Sequence, residues 1–135
     1  MTDEKNLSHE IIGAAFDVRK SLGRFLYEEV YEQALQYELK LRGINSERQV
    51  FLPVYYKGLK LEKSYRIDLL VEQEVIVELK ALEMMSSREV KQILSYLSFS
   101  NLKTGLLINF GAKDFSIGNY GNSETFEKGI YRFVN

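Results

Sequence analysis

The spacing of apolar residues predicts two helices at the start of the chain. Ser8 is expected to be the N-cap of the first helix, and Gly23 is expected to end it. A second helical pattern covers about residues 27–42 and places its apolar side chains on one face. Gly43 follows that pattern directly and predicts a Schellman-type C-cap, because glycine readily adopts the left-handed conformation that this motif requires.

Beyond Gln49 the apolar residues alternate with polar ones, a pattern that predicts β-strands. The first strand contains Pro53, which favours a place at the edge of a sheet, and residues 57–58 are expected to form a turn after it. The next two predicted strands are residues 60–71 and 74–81. Three strands in a row with short connections predict an antiparallel meander.

Helical spacing returns after residues 86–87 and continues to about residue 100. The short apolar run 105–110 predicts a strand buried on both faces. Residues 111–123 are rich in Gly, Asn and Ser and are expected to form a loop, and residues 129–134 are expected to form a last strand. This order of elements predicts an α/β or α+β fold in which helices flank a mixed central sheet.

Composition then limits the classes of function. With 135 residues, 45% of them hydrophobic, residues 1–135 are expected to form a single domain. No apolar run approaches the roughly 20 residues that span a bilayer, the amino terminus lacks a signal-peptide pattern, and cysteine is absent, so we expect a cytoplasmic protein without membrane contact. The net charge of −1 argues mildly against a protein that coats nucleic acid through a strongly basic surface.

Three ionisable residues lie within strands that otherwise look buried. Glu78 and Lys80 are two positions apart, so their side chains leave the same face of one strand. Asp68 lies on the preceding strand, where a hairpin would place it beside Glu78 or one register step away. Two neighbouring carboxylates repel each other unless a cation bridges them, and oxygen ligands suit Mg²⁺ or Mn²⁺ better than zinc. A buried ion pair between Lys80 and one carboxylate, without any metal, explains the spacing equally well.

Asp68 followed by Glu78-Leu79-Lys80 on adjacent strands resembles the signature of the PD-(D/E)XK nuclease superfamily. Within that superfamily the chain is similar to the small bacterial GxxExxY proteins, and the similarity covers roughly residues 11–110. Glu28 falls on the glutamate of the GxxExxY motif. Tyr31 falls on its tyrosine, which could bond Glu28 or a phosphate or belong to the core, and Phe25 stands where the motif has its first glycine.

The resemblance implies a restriction-endonuclease-like core with a two-carboxylate metal site. Asp68 and Glu78 would be ligands of Mg²⁺ or Mn²⁺, with the carbonyl of Leu79 as a third ligand. Lys80 would orient the attacking water or neutralise charge on the phosphate. The remaining candidates are Glu28, as an extra acidic ligand or water-positioning group, and the helical Gln92, which faces the site in such proteins.

Two functions follow from the resemblance. The first is a Mg²⁺-dependent nuclease that acts on DNA rather than RNA, and the second is a catalytically silent module that binds nucleic acid or a partner protein. A domain of this size could form a homodimer to span a duplex. Arg66 shares the strand face of Asp68 and either touches phosphate or pairs with an acid. Residues 111–127 look longer and more polar than this part of the family usually is.

Overall fold

The fold is built on one mixed sheet with helices packed against it. The computed structural model describes residues 4–122 and 125–135, and all structural statements concern these residues. The helices are α1 Glu4–Leu22, α2 Glu28–Leu41 and α3 Ser87–Ser100, with a short 3-10 helix at Tyr120–Asn122. The strands are β1 Ser46–Tyr56, β2 Leu59–Val71, β3 Val75–Lys80, β4 Thr104–Asn109, β5 Asp114–Ile117 and β6 Lys128–Val134.

The strand order in the sheet is β1-β2-β3-β4-β6-β5. Strands β1, β2 and β3 form the predicted antiparallel meander. Helix α3 then crosses over so that β4 pairs with β3 in parallel, and β6 returns antiparallel to β4. The prediction of a mixed central sheet flanked by helices is therefore confirmed. Among the described residues, no helix is long and apolar enough to cross a membrane.

Alternate residues of β3 serve two different core layers. Val77 and Leu79 belong to the layer between the sheet and helices α1 and α2, whereas Ile76 belongs to the layer under α3. Strand β4 is buried along its whole length, as the apolar run predicted. Glu78 shares the α3 face with Ile76 by alternation, so a carboxylate is placed where the pattern of the strand demands an apolar side chain.

The predicted ends of the helices are largely confirmed. Gly43 has φ +77°, its N–H donates to Lys40 O at 2.9 Å, and the N–H of Ile44 donates to Leu39 O at 2.9 Å, which together make the predicted Schellman motif. The predicted N-cap at Ser8 is wrong, because α1 already begins at Glu4. Ser8 is buried within the helix, where its hydroxyl accepts a hydrogen bond from Arg132.

Strand β1 lies at the edge of the sheet, as Pro53 predicted. Both turn residues after it have positive φ, 48° at Lys57 and 82° at Gly58, the combination found in tight hairpin turns. The prediction of a loop over 111–123 is wrong in part, because β5 and the 3-10 helix lie within it. Strand β5 has only four residues, none of them fully buried, and pairs in parallel with β6, the next strand, so neither apolar alternation nor a tight hairpin turn indicates it in the sequence. Residues 123–124 lie outside the described residues.

Candidate active site

The site forms where β2 and β3 separate. Their backbone pairing runs from Val71 to Leu69, which pairs with Val77. At the next pair of residues, Asp68 and Glu78, backbone N–H groups bond to side-chain carboxylates in place of backbone carbonyls. The N–H of Asp68 donates to Oε1 of Glu78 at 2.9 Å, and the N–H of Leu79 donates to Oδ2 of Asp68 at 2.8 Å. The two carboxylates thus face each other across the gap, as the predicted hairpin required.

Burial and mutual repulsion dominate the electrostatics of this gap. Glu78 is only 1% exposed, and burial, followed by the charge of Asp68, raises its pKa well above the usual range of a glutamate. Burial also raises the pKa of Asp68, although its hydrogen bond from Leu79 opposes the shift. The pKa of Glu28 is raised by burial and then by the charge of Asp68. The charge of Lys80 lowers the pKa of all three carboxyl groups, but burial and the neighbouring carboxylates outweigh it, so these groups are not held ionised without cost.

Lys80 does not form the ion pair that was the alternative explanation of its spacing. Within the described part of the chain, neither Asp68 nor Glu78 makes a salt bridge with it. Lys80 is half-buried and lines a cleft of about 480 Å³. A cation in this position is free to meet a ligand in the cleft.

The cleft brings together residues from α2, β2, β3 and α3. Glu28 comes from the start of α2, Lys80 from the end of β3, and Gln92 from α3. The remaining lining residues are Tyr65, Leu82, Arg88, Glu89, Lys91 and Ser95. Ser86 and Glu89 form a capping box that fixes the first turn of α3, the helix that contributes Gln92 to the cleft. The sequence-predicted candidates Glu28, Lys80 and Gln92 therefore share one cleft beside the two carboxylates.

Tyr96 is a neighbour of the site that sequence reasoning missed. Its hydroxyl accepts a hydrogen bond from Nε2 of Gln92 at 3.0 Å. Burial, followed by the negative charge of Glu78, raises the pKa of Tyr96 to about 12, so the phenol stays protonated at neutral pH. The spacing of Gln92 and Tyr96, one helical turn apart, was the available signal. The bond holds the amide of Gln92 in one orientation.

A second missed group supports Asp68 from the side of α2. Glu32 is 4% exposed, and its Oε1 accepts hydrogen bonds from Arg48 Nε at 3.2 Å and from Gln49 Nε2 at 2.8 Å. The same Gln49 amide lies 3.5 Å from Oδ1 of Asp68. Gln49 has φ +56°, a conformation that costs a non-glycine residue about 1 kcal/mol or more. No sequence signal marked Glu32, because a buried and an exposed helical glutamate look alike.

Tyr31 serves the core and the connection before α2. Its hydroxyl donates to Gly23 O at 2.6 Å and accepts from Leu26 N–H at 3.2 Å, while its ring stacks on Phe110 at 4.5 Å. The tyrosine therefore fastens the segment that leads into Glu28. The bend itself occurs at Gly23, which has φ +76°.

The end of β3 is held by β4. The side chain of the fully buried Asn109 accepts a hydrogen bond from Leu82 N–H at 2.8 Å and donates one to Leu82 O at 2.9 Å. A Cβ added to Gly111 would lie 2.7 Å from Leu82 N, so this approach requires glycine. These contacts fix the path of the chain just beyond Lys80.

Arg66 forms no salt bridge with an acid among the described residues, and its contact with phosphate stays a prediction. Its guanidinium lies over the ring of Phe51, 5.2 Å from the centroid, and donates to Oε1 of Gln49 at 3.4 Å. Gln49 in turn contacts Asp68, so Arg66 is connected to Asp68 through the Gln49 side chain.

The donor set fits a hard divalent cation. Asp68 and Glu78 each use one oxygen for a backbone N–H, and the second oxygen of Asp68 also lies 3.5 Å from the Gln49 amide. Lys80 O accepts from Phe110 N–H on the β4 side, so by alternation the carbonyl of Leu79 points toward β2 and the gap. Among the described residues, no group of three or more His, Cys, Asp or Glu side chains is placed to hold a metal. Two carboxylates and a carbonyl would therefore make up the protein's share, with water completing the shell.

Comparison with known proteins agrees with this geometry. The sequence model of the PD-(D/E)XK nuclease superfamily matches residues 5–118. The chain belongs to this superfamily, whose members typically use divalent metal ions, and its mixed sheet is consistent with a restriction-endonuclease-like core. No curated protein and no solved structure matches the chain.

Proposed function

We propose that the chain is a metal-dependent nuclease that hydrolyses phosphodiester bonds of nucleic acid, DNA in preference to RNA. The observation that carries the proposal is the gap between β2 and β3. There Asp68 and Glu78 face each other, and Lys80 stands in the adjacent cleft without a salt bridge in the described residues. A purely structural set of charges would be expected to pair, because unpaired buried charge is costly.

Asp68 and Glu78, with the carbonyl of Leu79, are the residues that would hold Mg²⁺ or Mn²⁺. Such an ion, when bound, polarises the scissile phosphate and lowers the pKa of a bound water. The two carboxylates and Glu28 supply negative charge that a cation would offset, and the backbone N–H groups of Asp68 and Leu79 keep the acids oriented.

Lys80 is proposed to orient the attacking water and to neutralise charge that develops on the phosphate. Gln92, which is held by Tyr96, faces the same cleft and would position the substrate or the water. Glu28 lies across the cleft as a water-positioning group or an additional ligand through water.

We also propose that residues 1–135 act as one domain, that the protein is cytoplasmic, and that it is a GxxExxY protein. Support for the GxxExxY assignment comes from the positions of its motif residues. Glu28 lines the cleft, and Tyr31 fastens the preceding bend. Gly23 supplies the left-handed conformation of that bend, and we propose that this allows Phe25 to occupy the first glycine position of the motif.

Cleavage assays test the nuclease. Single-stranded and double-stranded DNA and RNA are incubated with Mg²⁺ or Mn²⁺ and wild type, Asp68→Ala or Lys80→Ala. Lys40→Ala, which removes an exposed lysine on α2, is the matched control. Metal-dependent cutting by wild type and the control, lost in both site variants, supports the proposal. No cutting of any substrate by folded wild type refutes it and favours the catalytically silent binding module.

A further inference from the structure

An exposed hairpin next to the cleft combines aromatic and basic side chains. Residues 51–66, which form the outer half of β1 and β2 with their turn, are called the aromatic-basic hairpin. Phe51, Tyr55 and Tyr56 are 65%, 60% and 61% exposed. Three large exposed rings on one projecting element make this surface a candidate binding site, because exposed apolar patches often mark interaction sites.

The charge of the hairpin is opposite to that of the rest of the chain. Four basic residues and one acidic residue lie within 51–66, namely Lys57, Lys60, Lys63, Arg66 and Glu62. The whole chain has 18 Lys and Arg against 19 Asp and Glu, so the residues outside the hairpin are net acidic. Positive charge is thus concentrated on one projecting element, which compensates for the weak overall basicity that counted against nucleic-acid binding.

Three of the cations are placed beside aromatic faces. Lys57 Nζ lies 5.4 Å from the ring centre of Tyr56, Lys63 Nζ lies 5.7 Å from that of Tyr65, and the guanidinium of Arg66 lies 5.2 Å from that of Phe51. This arrangement offers flat surfaces for stacking next to charges that can meet phosphate.

The hairpin leads into the cleft. Tyr65 lines the cleft and also contacts α3, with its ring centre 5.7 Å from that of Tyr96 and 6.1 Å from that of Phe99. On the α3 side of the cleft, Arg88 and Lys91 add exposed positive charge. Basic and aromatic side chains therefore occur from the turn of the hairpin to the neighbourhood of Lys80, with Tyr65 on the α3 face and Phe51 and Arg66 on the opposite face.

We propose that the aromatic-basic hairpin binds an unpaired stretch of nucleic acid and guides it toward the cleft. Bases in a duplex present only their edges, whereas unpaired bases expose faces that can stack on Phe51, Tyr55 and Tyr56. A second copy of the chain is a poorer occupant, because pairing along the β1 edge would bring two basic segments together and Pro53 lacks a backbone N–H to donate. The guiding role rests on the proposed nuclease function, but the binding role does not.

Binding is tested without metal, so that cleavage cannot interfere. Fluorescence anisotropy in EDTA measures the affinity for a labelled oligothymidylate and for a duplex of equal length. The variants are Tyr55→Ser with Tyr56→Ser, and Lys57→Gln with Lys60→Gln. The matched control is Tyr37→Ser with Lys40→Gln, which removes an exposed tyrosine and an exposed lysine from α2. Circular dichroism and thermal unfolding check that each variant is folded.

The tyrosine variant is expected to lose about tenfold or more in affinity for the single strand, since each stacked base contributes about 1–3 kcal/mol. For the lysine variant, the negative slope of the logarithm of the association constant against the logarithm of salt concentration should become less steep by about 0.7 for each phosphate contact removed. The control should bind as wild type does.

The inference is overturned if both hairpin variants bind the single strand as tightly as wild type, or if wild type prefers the duplex. It is also overturned if the variants change only the sedimentation coefficient, because the hairpin would then be a contact between copies. Cutting by wild type with unaffected binding in the hairpin variants would remove this inference and leave the nuclease standing. Binding that depends on the hairpin, without any cutting, would support the binding role of the hairpin and refute the nuclease.

Discussion

Replacing Glu78 with glutamine is expected to stabilise the metal-free protein, whereas the same substitution at Glu32 is expected to destabilise it. Both glutamates are buried. Glu78 faces another carboxylate, that of Asp68, and glutamine at this position keeps an oxygen to accept the Asp68 N–H bond. Glu32 instead pairs with Arg48 at 3.2 Å, and a neutral side chain would leave that cation without its charge partner.

The magnitudes follow from the cost of buried charge. Removing an unpaired buried carboxylate while keeping its hydrogen bond should raise the free energy of unfolding of the Glu78 variant by about 1–3 kcal/mol. Removing the partner of a half-buried arginine should lower that of the Glu32 variant by about 1–3 kcal/mol, less than for a fully buried pair because Arg48 is 30% exposed. At this chain length a change of 1 kcal/mol moves Tm by about 3–6 °C.

The difference between wild type and Glu78→Gln should depend on pH. Burial and the charge of Asp68 raise the pKa of Glu78 in the folded state, so the folded protein holds this proton more tightly than the unfolded chain does. The stabilising effect of this proton is therefore fully present below the ordinary pKa of 4.5, and the folded wild type loses it as pH rises through the raised pKa. Asp68 and Glu28 also have raised pKa values, but they are present in both proteins and act on the stability of each in the same direction. The advantage of the glutamine variant should be small at acidic pH and full at alkaline pH.

Urea unfolding in EDTA at acidic and alkaline pH measures these differences, and a repeat with Mn²⁺ tests the metal. Wild type should gain stability with Mn²⁺, and Glu78→Gln should gain little, because it lacks one of the proposed ligand charges. At alkaline pH, Glu78→Gln could instead be less stable than wild type by as much as Glu32→Gln is. That result would show that the charge of Glu78 does not destabilise the fold, and the proposed repulsion between Asp68 and Glu78 would be wrong.

Three further substitutions test the supports of the site. Tyr31→Phe removes the hydroxyl bond to Gly23 O and should lower the free energy of unfolding by about 1–2 kcal/mol; an unchanged urea midpoint would contradict this role. Gly111→Ala forces a Cβ against Leu82 and should lower Tm and cutting rate together; retention of both would show that the strand end yields without cost. Ser86→Ala removes the capping box of α3 and should cost about 1 kcal/mol; thermal unfolding with no shift in Tm would refute it.

Most elements could be predicted from the sequence because their signals are local. The Schellman motif at Gly43 and the helix start at Ser86 depend on residues within one turn. The alternation of β2 and β3 and the short connection between these strands also predict that Asp68 lies close to Glu78. Strand β5 escaped prediction because it is short, has no fully buried residue and pairs with β6 in parallel without a tight hairpin turn. The early start of α1 escaped because Ser8 resembles an N-cap, whereas its hydroxyl is bonded to Arg132 on β6.

The sequence by itself predicted the order of the three α-helices and of every strand except β5, and it marked Asp68, Glu78 and Lys80 as the candidate residues of the site. Only the tertiary structure decided that Lys80 stays out of a salt bridge in the described residues, that Glu32 supports Gln49 and Asp68, and that Tyr96 holds Gln92. The physical reason is that a charged side chain has no fixed partner until distant segments meet. Periodicity places each side chain on a face, but packing chooses which neighbours share the buried space.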